Sequence, residues 1–271
     1  MGTNRPRTGL GAKAINSCLL RLVGTLLIGL SALVRATSPE SLLDAAGTIY
    51  CDGKVRGSAV YISPPQEIAD IADDVALVLT AAHTLFDLQS GQSYKVCEYR
   101  PQNKRLSGIA VSRVSQHGYR VTDTDRIAQA ESDIAFLMLS YSPRQPALHL
   151  GQQSQLISGP LALLGYHAEL GDMTASKHCQ PQDSDQFPST ALLLHNCRAG
   201  AGTSGAPIVD LLSSQIVAIH GGALVFDRAG EAQQLGAIER DQIGPSQWIN
   251  QGRIIDSGII KVLTDFVEST P

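Results

Sequence analysis

The sequence predicts an all-β protein, built as a sandwich or a barrel, with one helix at its end. Short apolar runs recur along the chain, separated by Gly, Pro, Asn, Asp and Ser, as is typical of strands joined by tight turns. Of the 271 residues, 25 are Gly and 17% are charged, against about 25% charged in an average domain. A hydrophobic content of 43% excludes a disordered chain. The predicted strands are Thr48–Cys51, Ser58–Ile62, Val75–Thr80, Tyr94–Glu98, Ile109–Val114, Ile134–Leu139, Leu161–Tyr166, Leu192–His195, Pro207–Asp210 and Ile216–His220.

Residues 1–36 predict a secretory signal peptide. Five basic residues and no acidic ones occur in this segment, and an apolar run follows at 22–34. This run is short for a membrane span, which needs about 20 residues. Val34 and Ala36 provide small residues for a cleavage site. We expect a secreted or periplasmic protein with no membrane contact after cleavage of the leader; an uncleaved signal anchor is the alternative.

The rest of the chain is acidic. It keeps 16 of the 21 basic residues and all 25 acidic ones, a formal charge of −9. Nucleic-acid binders normally present a basic face, so we expect no nucleic-acid partner. A polar segment with two prolines at 140–158 predicts a division into an N-terminal domain at 37–150 and a C-terminal domain at 151–271.

Four cysteines remain after Cys18 of the leader, and four cysteines allow three pairings. We predict one disulfide in each half, because domains generally keep their own crosslinks and export permits them. The predicted pairs are Cys51–Cys97 and Cys179–Cys197. Zinc is the alternative, because His178 and His195 lie beside two of these cysteines. The usual CxxC and HxxxH spacings are missing, however, so we predict no metal.

The end of the chain predicts an amphipathic helix that packs onto the body. Asp256 and Ser257 are suitable N-caps. The apolar residues that follow at helical spacing are Ile259, Ile260, Leu263, Phe266 and Val267.

Three segments carry residues suited to acyl transfer. VALVLTAAH at 75–83 delivers His83 just past a strand, SDIAFL at 132–137 places Asp133 at the start of another, and GAGTSGAPIV at 200–209 holds Ser204 in a glycine-rich turn. A serine hydroxyl needs an imidazole to take its proton, and a carboxylate to orient that imidazole. Glycines beside the serine let the N–H groups of Gly202 and Ser204 face a developing oxyanion.

These motifs resemble those of the trypsin-like, chymotrypsin-fold serine peptidases, and the resemblance spans most of 45–267. IHGG at 219–222 is similar to the bacterial glutamyl-endopeptidase branch. The resemblance implies two antiparallel six-stranded β-barrels with a C-terminal helix, a polypeptide substrate, no cofactor and a monomer. It also implies that His83 is the general base, Asp133 its orienting partner and Ser204 the nucleophile, with Gly202 and Ser204 forming the oxyanion hole.

One departure concerns activation. Thr203 stands where trypsins have an Asp that pairs with the N-terminal amine after zymogen cleavage. Threonine cannot form that ion pair, so we do not expect activation by this route.

The resemblance also suggests a specificity. His220 occupies the position from which glutamyl-specific relatives contact an acidic substrate side chain, and Arg198 lies near the base of the primary pocket. Together they would favour Glu or Asp at P1. Gly221 and Gly222 would form the edge on which the substrate backbone pairs. The alternative is that Arg198 points to solvent.

Two rival functions remain. An α/β-hydrolase would need an Asp or Glu and then a His well beyond the serine. Only His220 follows Ser204, and alternating α/β segments are missing. A catalytically inactive binding module on the same fold is the other rival, although such proteins normally lose a triad residue.

Overall fold

The first half of the chain closes into a barrel. The computed structural model describes residues 38–68, 75–151, 157, 159–182, 187–226, 232–235 and 248–269, so the predicted signal peptide lies outside the described residues. Six antiparallel strands pair in the order β1-β4-β5-β6-β3-β2, and pairing of β1 with β2 closes the ring. They are β1 (Ala46–Cys51), β2 (Lys54–Ser63), β3 (Leu77–Thr80), β4 (Cys97–Pro101), β5 (Ile109–Val114) and β6 (Ala135–Leu139). The short β7 (Leu148–His149) adds to β2 in parallel.

The second half forms another antiparallel sheet, ordered β10-β14-β12-β11-β8-β9, with β13 paired to β12. The end of β9 returns to β10, where Gln182 N donates to Leu194 O. The strands are β8 (Leu161–His167), β9 (Asp172–Cys179), β10 (Leu192–His195), β11 (Pro207–Asp210), β12 (Gln215–Phe226), β13 (Ala232–Leu235) and β14 (Trp248–Ile254). The predicted domain boundary falls between β7 and β8.

Three short helices complete the described fold: α1 (Pro39–Leu42), α2 (Arg126–Glu131) and α3 (Ser257–Glu268). The Asp256 carboxylate caps α3 by accepting from Ile259 N at 2.9 Å, as predicted. The helix buries one apolar face, which consists of Ile259, Leu263, Phe266 and Val267. This face joins a core that includes Leu77 of the first barrel and Leu164 of the second. The closed first barrel, the second antiparallel sheet and the closing helix confirm the predicted all-β, chymotrypsin-like fold class.

Both predicted disulfides are present. Cys51–Cys97 links directly paired positions of β1 and β4. Cys179–Cys197 links the end of β9 to the segment after β10. Within the described ranges, no group of His, Cys, Asp and Glu residues could hold a metal ion. The part of the chain that the structure describes has no helix long and apolar enough to span a membrane.

Candidate active site

His83 lies in a tight turn that follows a fully buried strand. All four residues of β3 are buried, and the chain then enters a 3₁₀ turn at Ala82–Leu85. Thr80 Oγ1 donates to Ser58 O at 2.7 Å, and Thr84 Oγ1 donates to Ala81 O at 2.7 Å. These bonds fix the turn, and they leave the His83 side chain 11% exposed.

Asp133 is a buried carboxylate that holds His83 at two points. Its Oδ1 accepts from the backbone N of His83 at 2.8 Å, and its Oδ2 lies 2.6 Å from His83 Nδ1. A carboxylate only accepts, so Nδ1 carries the proton and Nε2 is left as a basic lone pair. Burial lowers the pKa of His83, but the charge and hydrogen bond of Asp133 outweigh burial and raise this pKa above 6.5.

The Ser204 turn lies against β2, which pairs with β3, the strand that leads into the His83 turn. Ser58 N of β2 donates to Ser204 O at 2.7 Å. A side chain at Gly57 would meet Ser204 O at 2.5 Å and Thr84 Cγ2 at 2.6 Å. The backbone of Gly57 therefore fits closely between the Ser204 peptide and the side chain of Thr84, which follows His83 in the chain. The turn that carries Ser204 thus lies against β2, close to Thr84 of the His83 turn.

Two peptide groups of this turn are fixed in orientation. Ala201 O accepts from Ala168 N, and Thr203 O accepts from Ala206 N, both at 2.9 Å. The N–H of a trans peptide points away from its own carbonyl, so these bonds set the directions of the N–H groups of Gly202 and Ser204. Among the described residues, neither N–H donates a hydrogen bond. The turn therefore offers two oriented donors, and Gly202 reaches this geometry with a φ of 93°.

Thr203 locks the same turn from inside. Its side chain is 1% exposed. Its Oγ1 donates to Gly200 O at 2.7 Å and lies 3.2 Å from Gly200 N, from which it accepts. The hydroxyl thus satisfies both backbone groups of Gly200 without an ion pair.

His220 is buried in contact with a second histidine, His195. The Cys197 N–H donates to His195 Nδ1 at 3.2 Å, so this nitrogen carries no proton. In a neutral His195 the proton then sits on Nε2, which lies 3.1 Å from His220 Nδ1 and donates to it. A neutral His220 in turn carries its own proton on Nε2. The sequence offered His195 only as a zinc ligand, and its contact with His220 arises from the long-range pairing of β10, β14 and β12.

The other residues predicted to bind substrate lie in different places: Gly221 is near Asp133, Gly222 follows it in β12, and Arg198 is on the surface. A side chain at Gly221 would meet Asp133 Oδ2 at 3.2 Å, so Gly221 lies directly beside the His83–Asp133 pair. Gly222 follows an irregularity in β12 and has a φ of 138°. Arg198 is exposed, unlike His220. Burial and the charge of Arg198 lower the pKa of His167, so the guanidinium lies near that ring.

A cavity of about 420 Å³ opens between the two halves of the fold. Tyr50 and Val55 line it from the first barrel, and Tyr166 and Met173 line it from the second. Tyr166 also packs against Gly202, where an added Cβ would meet the ring at 2.8 Å. Clefts of this size commonly accept ligand groups.

Two β-barrels and a terminal helix, with a His–Asp pair beside a glycine-rich serine turn, are the architecture of chymotrypsin-fold serine peptidases. Residues 57–219 match the family model of the trypsin-like peptidase domain, and the chain belongs to this family. No curated protein matches the sequence.

Solved structures show the same fold at low sequence identity. A Glu endopeptidase in complex with MPD is 14% identical, with a TM-score of 0.58 and coverage of 84% of this chain and 92% of its own. The thermostable serine protease AL20 from an extremophilic microorganism is also 14% identical, with a TM-score of 0.58 and coverage of 86% and 100%. The Rv3671c protease from M. tuberculosis, in its active form, is 17% identical, with a TM-score of 0.53 and coverage of 89% and 88%.

Proposed function

We propose that this trypsin-like serine peptidase is an exported endopeptidase that cleaves polypeptides through an acyl-enzyme on Ser204. The observation that carries the proposal is the double contact of Asp133 with His83 beside the Ser204 turn. His83 Nε2 takes the hydroxyl proton as Ser204 Oγ attacks the scissile carbonyl carbon. The resulting oxyanion accepts hydrogen bonds from Gly202 N and Ser204 N.

The tetrahedral intermediate then collapses. The C–N bond breaks, and the leaving amine takes the proton from the His83 imidazolium. A water molecule next attacks the ester carbonyl while His83 takes a proton from it. Breakdown of this second intermediate releases the new carboxylic acid, and the proton returns to Ser204.

Export is supported by two independent features. Residues 1–36 combine basic residues, a 13-residue apolar run at 22–34 and small residues at a cleavage site. The body contains two disulfides, and such bonds persist in oxidising compartments. We therefore assign the working enzyme to the periplasm or the exterior of the cell.

We also propose a preference for Glu or Asp at P1. The bonds from Cys197 N through His195 place the proton of a neutral His220 on Nε2, and a carboxylate accepts from such an N–H donor. Arg198 is exposed and near His167, so the proposed preference depends on His220. The backbone at Gly221 and Gly222 would bind the acyl side of the substrate, and the cavity beside Tyr166 would receive the leaving side.

Cleavage of a peptide library by the purified protein tests the proposal. We expect hydrolysis after Glu and Asp, lowered by several orders of magnitude in Ser204→Ala. His220→Ala should lower kcat/KM for Glu substrates far more than for Leu substrates, while His149→Ala, which alters an exposed histidine of β7, should change neither. Hydrolysis that persists in Ser204→Ala would refute the acyl-enzyme, and equal losses on Glu and Leu substrates would refute the role of His220.

A further inference from the structure

Ser58 of β2 connects the first barrel to the Ser204 turn of the second. It is a polar residue with no exposed surface. Its Oγ donates to Gly202 O at 2.8 Å and accepts from Tyr166 N at 2.8 Å. Its backbone N donates to Ser204 O at 2.7 Å, and its backbone O accepts from Thr80 Oγ1 at 2.7 Å.

The Ser58 hydroxyl makes both its donated and its accepted hydrogen bond to groups of the protein. A serine hydroxyl has one proton to donate, which goes to Gly202 O, and it accepts from Tyr166 N. The hydroxyl proton is therefore not available to a substrate, and the side chain is buried. Any effect of the Ser58 hydroxyl on the reaction must therefore pass through its two partners, Gly202 O and Tyr166 N.

The group that it holds most directly is the Gly202 carbonyl. Gly202 has no side chain and a φ of 93°, so rotation of its two peptides meets little intrinsic resistance. The Ala168 bond fixes the peptide before Gly202, and the Ser58 hydroxyl fixes the peptide after it. Without the hydroxyl, the Gly202 carbonyl would be released, and Tyr166 N would lose its acceptor on the other side of the turn.

We propose that Ser58 is a positioning residue for the hydrolytic reaction: it fixes the Gly202–Thr203 peptide, which lies between the two peptides that carry the oxyanion donors, and so keeps those donors in orientation. This inference rests on the proposed function of the Ser204 turn. The donors meet full negative charge only in the transition state, so loss of the Ser58 hydroxyl should reduce kcat and leave KM nearly unchanged.

The test compares Ser58→Ala with Ser115→Ala in the full-length protein, purified after expression with its leader. Ser115 is a matched control, because it is also a buried serine of the first barrel and its Oγ accepts from Phe136 N at 3.0 Å. We expect kcat of Ser58→Ala to fall about 10- to 100-fold, less than for outright removal of an oxyanion donor. Ser115→Ala should retain the wild-type kcat.

The inhibition constant of a peptide aldehyde distinguishes a positioning role from a purely structural one. The serine adds to the aldehyde and forms a hemiacetal whose oxygen occupies the oxyanion position. Its inhibition constant should rise in Ser58→Ala by a factor similar to the loss in kcat, while the constant of a product carboxylate should change by less than twofold. If Ser58→Ala does not fold, Ser58→Cys, which fills the site with a slightly larger side chain and a weaker S–H donor, is judged by the same criteria.

The outcomes separate this inference from the proposed function. A folded wild type without activity, or activity that survives in Ser204→Ala, would overturn the proposed function. Activity that depends on Ser204 but is equal in the Ser58 and Ser115 variants would overturn the role of Ser58 alone. A rise in KM with unchanged kcat would also overturn it, because that pattern indicates a contact with the substrate ground state.

Discussion

Asp133 binds His83 at both its backbone N–H, at 2.8 Å, and its ring Nδ1, at 2.6 Å. The two bonds use different carboxylate oxygens, so the ring and the chain that carries it are held by one rigid group. The carboxylate is fully buried and the imidazole nearly so. This arrangement sets the tautomer of His83 and directs Nε2 away from Asp133.

Replacing Asp133 with Asn should therefore impair catalysis without removing the side chain. An amide N–H facing His83 Nδ1 favours the tautomer with the proton on Nε2, which cannot act as a base. We expect kcat to fall by about 10⁴-fold. Steady-state kinetics on a peptide substrate measures the loss, and Asp265→Asn, at an exposed position of α3, serves as the control. A loss below tenfold would contradict the role of Asp133.

The pH dependence of activity should report the raised pKa of His83. The proposed base acts only when neutral, so kcat/KM should rise with pH and its midpoint should lie above 6.5. Loss of the Asp133 charge leaves burial as the main influence, and burial lowers the pKa. The midpoint measured with the residual activity of Asp133→Asn should therefore lie below that of the wild type. A midpoint that does not move would show that another group titrates.

Thr203 should stabilise the Ser204 turn through its hydroxyl rather than its shape. Thr203→Val keeps the volume but leaves Gly200 N without its acceptor and removes one of the two donors to Gly200 O, which still accepts from Thr203 N at 3.1 Å. This loss should cost about 1–3 kcal/mol of unfolding free energy. Thr203→Ser should retain most of the stability and the activity. Thermal unfolding and kcat of both variants provide the comparison, and equal behaviour of Val and Ser would exclude the hydroxyl as the stabilising group.

Two glycines with positive φ separate backbone strain from crowding. Gly205 has a φ of 83°, and a Cβ there would meet Ser58 O and Thr80 Oγ1 at 2.2 Å. Gly53 has a φ of 77°, with open space around the same position. Gly53→Ala should cost about 1–2 kcal/mol from backbone strain, and Gly205→Ala should cost about 1–3 kcal/mol more from overpacking. Urea unfolding measures both, and similar costs would contradict the close packing at Gly205.

Local sequence predicted much of the site but less of the second barrel. TAAH, DIAFL and GTSGAP are contiguous motifs, so their residue types and order were readable directly. The strand β14 was not predicted, because Asn250, Gln251 and Arg253 are buried inside it and remove the apolar alternation on which strand prediction depends. Arg253 forms an ion pair with Asp256, which lies just after the strand, and donates to Glu131 O and Ala191 O, which are remote in sequence.

Contacts between residues far apart in the chain could not be predicted from local sequence patterns. The pairing of His195 with His220 depends on two strands that flank β14. The hydrogen bond from Ser58 to Gly202 O depends on contact between the two halves of the fold, since the two residues are 144 residues apart. The fourth strand begins at Cys97 instead of Tyr94, because the chain from 93 to 96 still belongs to the loop that returns from the His83 turn.

Covalent labelling tests the central claim most directly. A fluorophosphonate probe reacts with a serine that an imidazole has activated, and tandem mass spectrometry of the digested protein locates the adduct. We predict one adduct on Ser204 in the wild type and none in a folded Ser204→Ala variant. A folded wild type that stays unlabelled, or an adduct that persists in Ser204→Ala, would contradict the assignment of Ser204 as the nucleophile.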